Sequence, residues 1–229
     1  MRITRLMILS ASCAVFLAAC GKEPPPVPAP LESRESLETK ANAGDADAQF
    51  ELGAAYHDGS GGPKDLAIAK SWFEKAAAQG EVRAEFNLGV MYYMGEGVKQ
   101  DYDVARDWFE KAAEKKNPRA QFNLGVMYYR AEGVQQNFDK AKEYFALSGG
   151  QGFQEAAFNL GVMHAKGEGA EPDIGQAYAW FSLARDLGSE RAPEVIKNIE
   201  RALKPDQLEL VQKMATALKE EVQKETKDR

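Results

Sequence analysis

Chemistry in this chain has few places to reside. Among its 229 residues two are histidines, His57 and His164, and two are cysteines, Cys13 and Cys20. The imidazoles stand far apart along the chain, so a shared acid–base role is not expected. No histidine or cysteine spacing matches a metal site, and no glycine loop follows a strand pattern that would cradle phosphate. Carboxylates are plentiful, but they alternate with apolar residues at helical spacing, the arrangement of a solvated face. Side chains suited to contact recur instead. Arg83, Phe86, Asn87, Val90, Tyr93 and Met94 are matched one interval later by Arg119, Phe122, Asn123, Val126, Tyr129 and Arg130, and then by Phe158, Asn159, Val162 and Lys166. Aromatic rings and guanidinium groups are enriched where one protein holds another. The expectation is a binding protein without catalytic residues, cofactor or metal.

The elements that must position these residues are set by a repeat. Segments starting at Ala48, Ala84, Ala120 and Ala156 lie 36 residues apart without insertion or deletion, the mark of a solenoid built from stacked helical hairpins. In the second copy Ala84, Leu88, Met91 and Tyr92 share one face of a first helix, with the small Gly89 at its edge. Gly95-Glu96-Gly97 then breaks the helix, and Asp101 is placed to cap the next one, as are Asp65, Asn137 and Asp173 in the other copies. The second helix gathers Ala105, Trp108, Phe109, Ala112 and Ala113 on one face. Asn117-Pro118 reads as a cap followed by proline at the first helical position. In the third copy Ser148-Gly149-Gly150 ends the second helix, where glycine predicts early termination and a bend in the array.

The pattern A-x3-LG-x2-Y-x2-G-x-G-V, then Asp, then A-x2-W-F-x2-A resembles the SEL-like repeat (SLR), a tetratricopeptide-like unit. In the second copy it is carried by Ala84, Leu88, Gly89, Tyr92, Gly95, Gly97, Val98, Asp101, Ala105, Trp108, Phe109 and Ala112. Ala131, Tyr144 and His164 depart from it in later copies. The resemblance implies an all-α, right-handed α-solenoid of antiparallel helix pairs. It further implies that the second apolar face of each first helix lines a concave groove for a protein or peptide partner. That groove would comprise Arg83, Phe86, Asn87, Val90, Tyr93, Met94, Arg119, Phe122, Asn123, Val126, Tyr129, Arg130, Asn159 and Lys166. Phe86, Phe122 and Phe158 either line it or pack between repeats. Asn87, Asn123 and Asn159 either bond a bound main chain or serve helix contacts. Along the groove, acidic Asp47, Glu51 and Asp58 give way to basic Arg83, Arg119, Arg130 and Lys166, which predicts a ligand with an anionic portion over repeats two to four.

The ends of the chain place this array. Residues 1–19 pair a positive start, Arg2 and Arg5, with a predominantly apolar run too short for a permanent membrane span. The run closes in Leu17-Ala18-Ala19-Cys20, which resembles the bacterial lipoprotein signal and implies acylation of Cys20. Residues 20–32 would form the lipidated cysteine and a proline-rich tether; GKEPPPVPAP at about 3.1 Å per residue gives a spacer of about 30 Å. Gly21 in place of Asp resembles the pattern of outer-membrane lipoproteins, so the predicted location is the bacterial cell envelope, lipid-anchored at the outer membrane and facing the periplasm. Residues 33–44 read as an N-terminal capping helix, 45–188 as four repeats and 189–229 as C-terminal capping helices with a stripe of Leu208, Val211, Ala215, Leu218 and Val222. The net charge of −6 becomes −8 once Arg2 and Arg5 leave with the signal, which disfavours nucleic acid as a partner. Two further roles remain open: an accessory subunit of exopolysaccharide export or secretion, and a cell-wall or β-lactam-active protein. The second is weakened because secreted relatives of that kind carry a cysteine pair in each repeat, absent here.

Overall fold

Helices of thirteen residues recur in pairs, and the caps at their ends explain the uniform length. The computed structural model describes residues 34–227, with side chains through 224; the signal, Cys20 and the tether lie outside the described residues. All elements among these are helical. An opening helix, α1 (Arg34–Asn42), precedes four hairpins: α2 (Ala46–Asp58) with α3 (Leu66–Ala78), α4 (Val82–Met94) with α5 (Tyr102–Glu114), α6 (Pro118–Arg130) with α7 (Phe138–Gly150), and α8 (Gln154–Lys166) with α9 (Ile174–Asp186). Two helices close the array, α10 (Ala192–Ala202) and α11 (Pro205–Lys227).

Each second helix starts on the residue expected to cap it. Asp65 accepts from the Ile68 amide at 3.0 Å, Asp101 from Val104 at 3.1 Å, Asn137 from Lys140 at 2.9 Å and Asp173 from Gln176 at 2.9 Å. Asn117 does the same for α6, accepting from the Ala120 amide at 3.0 Å ahead of Pro118. First helices stop in a left-handed residue: Gly59, Gly95 and Gly167, but Ala131 at φ 61° in the third hairpin. An alanine there is strained by about 1 kcal/mol relative to glycine.

What closes each hairpin is a phenylalanine laid on a glycine. A Cβ added at Gly53, Gly89, Gly125 or Gly161 would fall 2.7, 2.5, 2.7 or 2.8 Å from the ring of Phe73, Phe109, Phe145 or Phe181. These four rings are almost fully buried. The Leu before each glycine, Leu52, Leu88, Leu124 and Leu160, is buried as well, so the Leu-Gly pair sets both the contact and the distance of closest approach.

The bend expected at Ser148-Gly149-Gly150 is not formed. The α7 helix runs its full length to Gly150 because glycine serves approach rather than flexibility: a Cβ on Gly149 would lie 3.1 Å from the Ala157 nitrogen in α8. Ser148 Oγ also donates to the Pro118 carbonyl at 2.7 Å, tying α7 to the start of its own hairpin.

The two ends are covered differently. Ala41 of α1 and Leu37 pack on Ala48, Leu52 and Tyr56 of the first hairpin. The α10 helix stands where a fifth first helix would. Its preceding residue Arg191 lies 4.0 Å above the Phe158 ring, as Arg83 lies 4.2 Å above Phe50 three repeats earlier. The last helix does not complete a fifth hairpin; α11 turns back along α9, burying Val211 and packing Leu208, Ala215, Leu218 and Val222 into the same cluster as Trp180 and Leu183.

Two stability outcomes follow from this packing. Gly125→Ala overfills the contact with Phe145 and is expected to destabilise the fold by about 1–3 kcal/mol, read as a lower urea midpoint at unchanged slope. Ala131→Gly relieves the left-handed alanine and raises the midpoint by the equivalent of about 0.5–1 kcal/mol.

Candidate partner-binding surface

Four rows cross the first helices on the side not covered by a second helix. Reading from one edge to the other, they are Asp47, Arg83, Arg119, Glu155; Glu51, Asn87, Asn123, Asn159; Ala54, Val90, Val126, Val162; and Asp58, Met94, Arg130, Lys166. Residues four and three apart along a helix lie on one face, so the rows form a continuous strip across the repeats. The outer rows are exposed apart from the half-buried Glu155. The amide row sinks along the array, from the half-buried Asn87 to the buried Asn123 and Asn159, while in the valine row Val126 is buried between the half-buried Val90 and Val162.

Several predicted contact residues are therefore packing residues. Phe86 is 7% exposed and lies 5.9 Å from Phe109, while Phe122 is fully buried, 5.6 Å from Phe145. Phe158 stands in the same relation to Phe181 at 5.2 Å. The rings fill the space between a first helix and its own second helix, so these phenylalanines are packing residues within a repeat, neither lining a groove nor, in these contacts, packing between repeats. Tyr93, at 4% exposed, is likewise not a contact residue. What remains on the surface is Arg83, Met94, Arg119, Arg130 and Lys166, with Asn87, Val90 and Tyr129 half-buried between them.

Tyr93 belongs to a ladder that joins the repeats. His57 Nε2 lies 2.9 Å from Glu96 Oε2, Tyr93 donates its hydroxyl proton to Glu132, and Tyr129 donates to Glu168 at 2.9 Å. Each donor sits near the end of a first helix and each acceptor in the turn of the next repeat, Gly-Glu-Gly at 95–97 and 167–169 and Ala-Glu-Gly at 131–133. The second glycine of that turn receives the preceding repeat as well: a Cβ on Gly97, Gly133 or Gly169 would press on Leu66, Tyr102 or Phe138 at 2.5, 2.6 and 2.8 Å. The turn read from sequence as a helix breaker is thus a joint. The ladder ends where the array ends, with Ser60 in place of the carboxylate in the first turn and Ala165 in place of the donor in the last first helix.

A second ladder crosses the opposite edge. Gln79 donates to Gln49 at 2.8 Å, Lys115 to the buried Glu85 at 2.7 Å, and Gln151 to Gln121. In the fourth hairpin the same places hold Ala157 and Leu187.

Charge on the strip differs from the expected acidic-to-basic polarity. Arg83 reaches back to Asp47, to Glu51 at 3.0 Å and to Glu81 at 2.7 Å, and its guanidinium holds the Glu81 carboxyl below the usual carboxylate range. Arg130 faces Glu132 at 3.7 Å and Lys166 faces Glu168 at 3.6 Å. These carboxylates come from neighbouring repeats and turns, so their pairing is invisible in a single helix. Arg119 alone of the four cations has no acidic partner among the described residues. Elsewhere, burial pushes the His164 imidazole below its ordinary value. Among the described residues no group of three or more His, Cys, Asp or Glu is arranged to hold a metal, and no helix is long and apolar enough to cross a membrane.

Fold and strip together define an all-α solenoid whose repeated first helices present an extended surface. Four copies of the Sel1 repeat match residues 46–81, 82–117, 118–153 and 154–189, and the chain belongs to the Sel1 repeat family, whose repeats generally mediate protein–protein interaction. Among solved structures it is similar to c5321, described as a protective antigen present in uropathogenic Escherichia coli strains and displaying an SLR fold. That match has 40% identity, a TM-score of 0.68, and covers 70% of this chain and 34% of that one, so the chain spans about a third of that relative's length. It is also similar to a Sel1 repeat protein from Oxalobacter formigenes, at 29% identity and TM-score 0.68, covering 80% of this chain and 75% of that one. No curated protein matches the chain.

The ladder yields a pH-dependent outcome. Burial first, and then the hydrogen bond to Glu132, raise the Tyr93 phenol well above its ordinary value. The folded state therefore holds this proton more tightly than the unfolded chain, so the stabilisation is complete below about pH 10 and is lost as pH rises toward the folded value. Tyr93→Phe is expected to cost about 1–2 kcal/mol at pH 8, the lower part of the range for a hydrogen bond to a charged acceptor that solvent can reach. In thermal melts the gap between the variant and the parent should narrow above pH 10.

Proposed function

We propose that this chain is a lipid-anchored scaffold of the bacterial envelope that binds a protein partner on the first-helix strip and performs no catalysis. The observation that carries this reading is the strip itself. Four hairpins in unbroken 36-residue register set Arg119, Asn87, Val90, Met94, Arg130 and Lys166 in parallel rows with Tyr129 beside them, and both closing helices pack chiefly on α9. A surface of this kind suits an extended segment that contacts several repeats in turn. A surface depression of about 450 Å³ offers no competing chemistry: it is lined by Tyr128, Val134, Gln135, Gln136, Asn137 and Lys140, without a nucleophile beside a base. The anchor rests on Leu17-Ala18-Ala19-Cys20 and on the proline-rich segment behind it, and the outer membrane facing the periplasm rests on Gly21.

Photo-crosslinking in the native envelope tests the binding half. A crosslinker at Met94 or Asn87 is expected to capture a discrete protein, and one at Ser71 on the outer side of α3 is not; equal capture at both positions refutes the strip. Palmitate labelling tests the anchor. Label should enter the parent and be lost in Cys20→Ser, with the variant released from the membrane fraction.

A further inference from the structure

The five turns that lead into α2, α4, α6, α8 and α10 all carry a residue in the left-handed region. Four of them are glycine, Gly44, Gly80, Gly152 and Gly188, and the fifth is Lys116 at φ 64°. A lysine pays a steric penalty there that glycine does not. The lysine side chain brings the fold nothing visible in return: the Lys116 amide donates to the Ala113 carbonyl at 2.9 Å, as any residue's would, while the side chain is exposed and has no partner among the described residues. Arg119, three residues on, is also exposed and unpartnered. Lys111 is exposed at the end of α5, with its ammonium 3.9 Å above the Trp108 ring. Lys115 is turned inward to Glu85 and to the Gly80 carbonyl, and Lys111 is occupied by the Trp108 ring, so neither contributes; that leaves Lys116 and Arg119 as the outward cations of the turn. No equivalent turn has this character. In the α3–α4 turn Arg83 is clasped by three carboxylates, and in the α7–α8 turn the matching residues are Gly152 and Glu155.

We infer that the α5–α6 turn, through Lys116 and Arg119, is a docking point for an acidic stretch of the partner polypeptide. This rests on the reading of the first-helix strip as the binding surface, because Arg119 belongs to both and makes them continuous. Charge complementarity selects the occupant. Two unmatched cations at one turn match a short acidic segment, whereas a membrane surface or a nucleic-acid backbone would also meet the rest of a chain whose net charge is −6.

Lys116→Gly separates this role from a structural one, because it relieves strain while removing the charge. In the chain from Cys20 onward, the variant is expected to melt about 2–4 °C higher than the parent. It should also bind a fluorescein-labelled glutamate-rich decapeptide about 3-fold more weakly at low salt, and about 10-fold more weakly with Arg119→Gln added. A glutamine-rich decapeptide should not bind, and Lys99→Gln on the far edge should leave the acidic peptide's affinity unchanged. Unchanged peptide affinity in Lys116→Gly overturns the proposal, as does tighter association with phosphatidylglycerol vesicles than with the peptide. If Met94 crosslinks its partner equally in the parent and in Lys116→Gly, the docking point fails while the strip stands. If the acidic peptide depends on Lys116 but Met94 captures nothing, the strip fails instead.

Discussion

Every hairpin of this protein closes on the same contact, a phenylalanine ring lying where a glycine has no side chain. At Gly89 the ring of Phe109 comes to 2.5 Å from the point a Cβ would occupy, and the other three hairpins repeat the arrangement within a few tenths of an ångström. That distance fixes how near the two helices lie and how far along one another they are set. With it fixed, the cap residues, the turn and the next repeat all fall into equivalent places. Loss of the contact in one hairpin would displace everything that stacks beyond it, because each repeat is positioned only by its neighbours.

Between hairpins the work passes to the turn. Its carboxylate takes a proton donor from the preceding first helix, and its second glycine admits the first residue of the preceding second helix. The same short loop therefore ends one helix, begins another and joins two repeats. The first joint differs from the others in using His57, which packs 6.4 Å from Phe73, where the next two use tyrosine. At the far end the joint is replaced by apolar packing, and α11 lies over α9 to bury Trp180 and Leu183, whose counterparts Trp108 and Lys111 meet solvent in the second hairpin.

The third hairpin stands apart from its fellows. Its first helix, α6, is bracketed by the two non-glycine residues of the described chain that hold a positive φ, Lys116 and Ala131. The helix between them is also the most enclosed of the first helices, with Phe122 through Tyr128 all buried. Dense packing on both sides supplies the stabilisation that lets two strained residues persist at its ends. The surface beside it carries Arg119, the cation of the strip that no carboxylate among the described residues matches.

Much of this was legible along the chain. The 36-residue interval, the caps at Asp65, Asp101, Asn137 and Asp173 and the Leu-Gly and Trp-Phe pairs announce helical hairpins, because each depends on residues close in sequence. The ladder also left a trace, in the glutamates at 96, 132 and 168 that begin one repeat after the donors at 57, 93 and 129, but it reads as a turn motif until the repeats are stacked. Which face of a first helix is groove and which is packing could not be read, since a helix apolar on several sides gives no sign of which neighbour covers each side. The tertiary structure decided that Phe86, Phe122 and Tyr93 are interior, that Gly149 marks close approach instead of a bend, and that Arg83 is held by carboxylates from another repeat. The sequence by itself determined the hairpins and their spacing, which are local; the stacking decided the surface and its charge, because both are made by residues about 36 positions apart meeting across a joint.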